Sequence, residues 1–287
     1  MALQIPVLKT RAITAVIFVA VMLTGLFWSK WSYLLLFSII HWGCWFEYKQ
    51  LLLKIDPTYK KLNSIHHNSM QLAGWGFLLW GADDHFRIGE LIVPQLGGSI
   101  TLAAALLFVV NEMLRNKELN YRYPFYAIAG FMYISVAGYC MMHFYGFTIS
   151  PSLPNPAPLI LPLIIIATIW INDTMAYLVG SLIGKTPLSA ISPKKTWEGT
   201  IGGTVLAIAV ITLAAVKQFS LPFLPVLLIT AITAIAGTFG DLLESKLKRM
   251  AGVKDSGSFM PGHGGFLDRF DSLLIAATAV GLFLSVG

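Results

Sequence analysis

Long apolar stretches separated by short polar ones run through the whole chain, without the two-residue alternation that marks the strands of a membrane barrel. They fall near residues 12–28, 32–48, 70–82, 92–113, 124–146, 158–181, 200–216, 221–240 and 270–286. Several reach the roughly 20 residues a helix needs to cross the hydrocarbon core of a bilayer. In lipid the backbone must satisfy its own hydrogen bonds, so uniformly apolar runs of this length are read as helices. The stretch 70–82 is short, and charge decides it. With nine spans and a cytoplasmic N-terminus, seventeen of the twenty Lys and Arg fall on the cytoplasmic side, leaving Lys30, Arg87 and Lys217 outside. Omitting 70–82 reverses the sidedness of one half and spoils that asymmetry. The pattern predicts an all-α polytopic membrane protein of about nine transmembrane helices, N-terminus cytoplasmic and C-terminus outside. The first run follows Lys9 and Arg11 like a secretory signal, but no small-residue cleavage site precedes Trp28 and Trp31, so it is read as a retained anchor.

Composition agrees. Of 287 residues, 56% are hydrophobic and 12% charged, against roughly 25% charged in soluble domains. The net charge of +6 points to topology and anionic headgroups rather than to nucleic acid. Cys44 and Cys140 lie in apolar runs and are read as buried, inert thiols. His66 and His67 are read as solvated loop residues without nearby carboxylates. The cluster Asp83, Asp84, His85, Arg87 and Glu90 is read as a solvated external loop, as is the Pro-rich 147–157. His41 and Glu47 lie within or near the second span, where ionisable groups are costly and often functional.

Charge concentrates between Gly240 and Ser272, which holds five of the 14 acidic residues and five of the 20 basic ones. Asp241, Glu244, Ser245 and Lys248 fall at i, i+3, i+4 and i+7, sharing a face of a helix where the eighth span meets the cytoplasm. Asp268 and Asp271 repeat the i, i+3 spacing at the entrance to the ninth. Four carboxylates on two helix ends suit a hard cation such as Mg²⁺; salt bridges to Lys246, Lys248, Arg249 and Arg269 explain the spacing equally well. Between them, Gly257, Pro261, Gly262, Gly264 and Gly265 exclude a regular helix, and glycine lets backbone N–H groups approach phosphate closely. His263 either touches a phosphate or shapes the turn. In the preceding loop, Asp173 sits inside an apolar span and shares a helix face with Tyr177 and Gly180. Gly184-Lys185-Thr186 is not a P-loop: Val179 stands where the first glycine belongs, and no strand precedes it. Lys185, Lys194 and Lys195 suit phosphate neutralisation, or simply follow the positive-inside rule.

Together these segments resemble the phosphatidate cytidylyltransferases, or CDP-diacylglycerol synthases. One block of the resemblance is Ser245, Lys248, Arg249, Lys254, Asp255, Pro261, His263, Gly264, Gly265, Asp268, Arg269 and Asp271; the other is Asp173, Ala176, Tyr177, Gly180, Ser192, Pro193, Lys195, Thr196, Trp197 and Gly199. Ser181 stands where the family often has a basic residue, which leaves nucleotide contact to Lys185. The resemblance is confined to the C-terminal half. It implies CTP and phosphatidate as substrates, CDP-diacylglycerol and pyrophosphate as products, and Mg²⁺ as cofactor, a second metal ion being an open alternative. It further implies a homodimer in the inner (plasma) membrane, among membrane lipids, with the active site facing the cytoplasm. Asp241, Asp268, Asp271, Lys248 and Arg249 are then expected to be catalytic, with Asp241, Glu244, Asp268 and Asp271 on the metal. Substrate binding is expected from Asp173, Tyr177, Lys185, Ser192, Lys194, Lys195, Thr196, Lys254, Asp255, His263, Gly264, Gly265 and Arg269. Residues 1–150 are accordingly read as N-terminal membrane helices and 151–287 as the catalytic region, with cytoplasmic loops 182–199 and 241–269. A CTP-dependent lipid kinase and a transporter are the alternatives.

Overall fold

Each apolar run becomes a helix. In the computed structural model, which describes residues 5–115, 121–149, 158–259 and 264–286, the order is α1 (Ile5–Phe27), α2 (Lys30–Ile55), α3 (Ser64–Trp80), α4 (Val93–Arg115), α5 (Arg122–Gly130), α6 (Val136–Phe144), α7 (Ile160–Ile183), α8 (Trp197–Phe219), α9 (Phe223–Met250) and α10 (Leu267–Val286). A π-helical turn, Phe131–Ser135, joins α5 to α6 as one helix. A 3-10 turn, Pro57–Lys61, follows α2, and a small antiparallel hairpin pairs β1 (Arg87–Ile88) with β2 (Leu91–Ile92).

Six described helices are long and apolar enough to cross a membrane: Val93–Leu114, Arg122–Phe144, Ile160–Ile183, Trp197–Phe219, Phe223–Met250 and Leu267–Val286. The runs predicted at 12–28, 32–48 and 70–82 fall on α1, α2 and α3. Of these, α2 carries Lys30, Glu47, Lys49 and Lys54, and α3 has 17 residues. Most of the predicted loop 147–157 and His263 lie outside the described residues.

The chain forms two compact units. One comprises residues 1–142 and 247–270, the other 143–246 and 271–287. In the first, α3 and α4 pack most extensively. Small residues allow it: a Cβ on Gly76 would lie 2.8 Å from the Gly97 carbonyl, and one on Gly97 would lie 2.6 Å from the Gly76 carbonyl. The π turn brings Ser135 Oγ within 3.1 Å of His41 Nε2, and the hydroxyl also accepts from Trp45 Nε1 at 3.0 Å. His41 is therefore a buried packing histidine with one hydrogen bond. Both cysteines are buried.

His66 and His67 depart from the solvated reading. They open α3; His66 is fully buried, and its Nδ1 meets Glu112 Oε1 at 2.7 Å. Tyr59 packs edge-on against both rings, with centroids 5.5 and 4.7 Å away. Burial and the Glu112 carboxylate drive the Tyr59 phenol well above its ordinary range. The carboxylate partner lies 46 residues away in sequence, which a local reading cannot reach. The cluster at 83–90, by contrast, is largely exposed as expected, with His85 Nδ1 3.2 Å from Asp83 Oδ2 beside the hairpin.

In the second unit α7 and α8 pack most extensively. A Cβ on Gly199 would approach the Ala176 carbonyl to 2.7 Å and one on Gly203 the Ala176 nitrogen to 2.6 Å, so α8 presents bare backbone to α7. Thr212 and Thr230 tie α8 to α9 through a buried 2.8 Å hydroxyl pair. A Cβ on Gly240 would collide with the Asp271 carbonyl, so α9 and α10 also meet backbone to backbone.

Candidate active site

The second unit contains a polar cavity of about 450 Å³ among otherwise apolar helices. From α7 it receives Asp173 and Tyr177, from the α7–α8 loop Lys194, Lys195 and Thr196, and from α9 Asp241. Six residues expected to act on substrate thus line one space, although they span nearly 70 positions of sequence.

Local structure explains how the lysines reach it. The α7–α8 loop is a narrow turn: Leu188 N donates to the Lys195 carbonyl at 2.7 Å, Lys195 N to the Ser192 carbonyl at 3.1 Å, and Trp197 N to the Thr186 carbonyl at 2.9 Å. Glu198 clamps its base, accepting from Lys185 N at 3.1 Å, Thr186 N at 3.2 Å and Thr186 Oγ1 at 2.8 Å. Thr196 caps α8 by accepting from Gly199 N at 3.2 Å. Lys195 then extends to Asp241, its Nζ donating to Oδ2 at 2.6 Å. Asp173, Asp241 and Asp271 repel one another electrostatically, and Lys195 offsets them. Asp271 is buried, its Oδ1 accepting from Ser272 N at 2.6 Å.

A second constellation lies in the first unit. Lys248 Nζ donates to Asp268 Oδ1 at 2.6 Å, with side chains 12% and 9% exposed. The other oxygen, Oδ2, accepts from Gly265 N at 2.8 Å, Ser256 N at 2.9 Å and Ser256 Oγ at 2.9 Å. Glu47, from α2, accepts from Ser256 Oγ at 2.6 Å and Leu267 N at 2.9 Å. The helix feeding this segment stops in a Schellman turn. Gly252 sits at φ +68°, Gly252 N donates to the Arg249 carbonyl, and Val253 N donates to the Lys248 carbonyl at 2.9 Å. Arg249 Nη1 donates to the Val253 carbonyl at 3.0 Å and so reinforces that end.

The remaining expected residues distribute as follows. Lys185 is exposed and engaged through its backbone, and Ser192 shapes the lysine turn. Lys254, Asp255 and Arg269 are exposed. Gly264 adopts φ +83° with no room for a side chain beside Asp268, and the Gly265 N–H is committed to Asp268 rather than open to a phosphate. Glu244, one turn from Asp241, is buried and does not line the cavity. Among the described residues no three of His, Cys, Asp or Glu gather into a ready metal cage. Sequence reasoning missed Ser256, which carries no signal, and the clamping role of Glu198, whose partners lie 12 and 13 residues earlier.

Comparison with known proteins adds to this geometry. The profile of the Cytidylyltransferase family matches residues 9–286. The phosphatidate cytidylyltransferase of Helicobacter pylori (strain J99) is 45% identical over 125 residues, 42% of this chain and 47% of that protein. That of Bacillus subtilis is 51% identical over 108 residues, 37% and 40% of the two chains. Phosphatidate cytidylyltransferase 4, chloroplastic, of Arabidopsis thaliana is 46% identical over 128 residues, 44% and 32%. The chain thus covers less than half the length of each of these relatives.

Proposed function

The chain belongs to the cytidylyltransferase family, and from that premise we propose that it transfers the cytidylyl group of CTP to phosphatidate. A phosphate oxygen of phosphatidate forms a bond to the α-phosphorus of CTP, the bond from that phosphorus to the bridging oxygen breaks, and its electron pair leaves with pyrophosphate. The attacking phosphate is already an anion near neutral pH, so the difficulty is electrostatic: two polyanions must meet. The observation that carries the reading is the cavity, where Lys194, Lys195, Asp173 and Asp241 converge among apolar helices. Lys194 and Lys195 hold phosphate oxygens, the Lys195–Asp241 pair fixes the ammonium direction, and Tyr177 and Thr196 border the bound nucleotide. Lys248 and Arg249 answer the charge that develops on pyrophosphate.

Mg²⁺ is part of the proposal. Asp173 and Asp241 bring carboxylate oxygens to one cavity, a donor set that fits an ion which takes one or two carboxylates and fills its shell with waters and substrate phosphates. Bound there, it neutralises phosphate charge and orients the reacting groups. Asp271 sets the local field behind them. The same reading has nine spans, a cytoplasmic N-terminus, an inner-membrane homodimer surrounded by lipid, and CTP entering from the cytoplasm. Purified protein with Mg²⁺, phosphatidate and CTP labelled at the α or γ position tests it. Label from the α position should enter the lipid and γ label should leave in pyrophosphate. Lipid carrying γ label identifies a kinase instead, and no turnover at all removes the reading.

A further inference from the structure

The N-terminal half supplies one residue to the constellation around Asp268. Glu47 stands on α2, 209 positions before Ser256 in sequence, and its side chain is 4% exposed. A buried carboxylate is tolerated only when hydrogen bonds replace its water, and here both donors come from the far end of the chain, Ser256 Oγ at 2.6 Å and Leu267 N at 2.9 Å. Two glycines make room for it. A Cβ on Gly257 or on Gly265 would collide with the Glu47 carboxylate. One helical turn earlier on α2, a Cβ on Gly43 would collide with the Phe266 ring. Gly43 and Glu47 therefore form, at i and i+4, a seat moulded to residues 256–257 and 265–267.

Resting on the functional reading above, we infer that Glu47 is a positioning residue of the reaction. It fixes Ser256 and Leu267, and through them the Asp268 carboxylate that directs Lys248. Ser256 links the two acids, because its single hydroxyl hydrogen faces Glu47 Oε2 at 2.6 Å and Asp268 Oδ2 at 2.9 Å. Weakening the seat leaves Lys248 and Asp268 chemically intact but no longer held in one orientation. The consequence is a loss of turnover rather than of substrate binding.

The test uses the full-length protein in detergent. Glu47→Gln keeps the side chain's volume, but replaces the charged oxygen Oε2, which serves both donors, with a neutral amide oxygen and so weakens both hydrogen bonds. Amide hydrogen exchange at Leu267 should accelerate about tenfold while the Glu198-clamped residues 184–199 keep wild-type rates. Turnover should fall about tenfold or more, with KM for CTP and for phosphatidate within about threefold of wild type and an unchanged melting temperature. Ser256→Ala should reproduce the turnover loss, and the double variant should be no slower than the slower single, since both remove one link. Wild-type turnover in both single variants overturns the inference, as does a loss that merely tracks the melting temperature. If the wild-type protein makes no CDP-diacylglycerol, it is the functional reading that fails. Exchange at Leu267 then decides: acceleration in Glu47→Gln supports the seat, and wild-type exchange overturns it.

Discussion

Replacing Lys195 by alanine tests the cavity most directly. The ammonium lies 2.6 Å from Asp241 Oδ2, with side-chain exposures of 32% and 26%, so the pair is accessible to substrate yet not fully screened by water. A hydrogen bond to a charged group nets about 1.5–3 kcal/mol. If Lys195 gives that interaction to a phosphate oxygen in the transition state, its loss slows kcat/KM by about 10- to 150-fold, at 1.36 kcal/mol per factor of ten. A second effect has the opposite sign. Without Lys195, Asp241 faces Asp173 and Asp271 with less positive charge nearby, so the cavity becomes more negative. The Mg²⁺ concentration for half-maximal rate should therefore fall even as the maximal rate drops. Lys195→Arg keeps the charge but changes the donor geometry and should lie between the two. Initial rates of CDP-diacylglycerol formation over a range of CTP concentrations give kcat/KM, and a Mg²⁺ titration at saturating CTP and phosphatidate gives the metal requirement. Wild-type kcat/KM in Lys195→Ala, or an unchanged Mg²⁺ requirement, would refute the placement of this lysine between Asp241 and substrate.

Asp271→Asn should abolish turnover while the protein remains monodisperse on size-exclusion chromatography in detergent; an active variant removes Asp271 from the site. Glu198→Ala should lower kcat/KM about tenfold by freeing Lys185 and Thr186 N–H from their clamp, and loop proteolysis at 184–196 should rise in parallel. Gly203→Ala places a methyl 2.6 Å from the Ala176 nitrogen, so the α7–α8 contact must open, at about 1–3 kcal/mol, read as a lower melting temperature. Gly252→Ala puts a side chain at φ +68° and should cost about 1–2 kcal/mol, read the same way, with little change in turnover per folded molecule.

Helices were legible because apolar length alone decides them in a membrane protein. Seven of the nine predicted runs end within three residues of the corresponding helix; the second, 32–48, and the eighth, 221–240, stop short because α2 and α9 continue through polar turns to Ile55 and Met250. The cavity was partly legible. Asp173 and Tyr177 were marked by polarity and spacing within an apolar run, and both line it. Lys195 was marked by its charge and by the resemblance, but nothing local names Asp241, 46 positions later, as its partner. The burial of Glu244 was not legible for a related reason: i, i+3 spacing puts two carboxylates on neighbouring parts of a helix, but helix packing decides which of them meets solvent, and Glu244 is buried.

The glycines between Gly257 and Gly265 carry this point furthest. From sequence, a cluster of glycines beside basic residues suggests backbone N–H groups bared for a phosphate. Packing gives two of them a different cause, because Gly257 and Gly265 are small where the Glu47 carboxylate occupies the position of a Cβ. A third, Gly264, needs its positive φ and its clearance from Asp268. The missing side chains therefore accommodate carboxylates of the protein itself, and the N–H of Gly265 already has an acceptor. On the proposed reading, cation chemistry for substrate then falls to side chains rather than to this loop's backbone, and the proposed role of the loop is to hold Lys248 still rather than to wrap a phosphate.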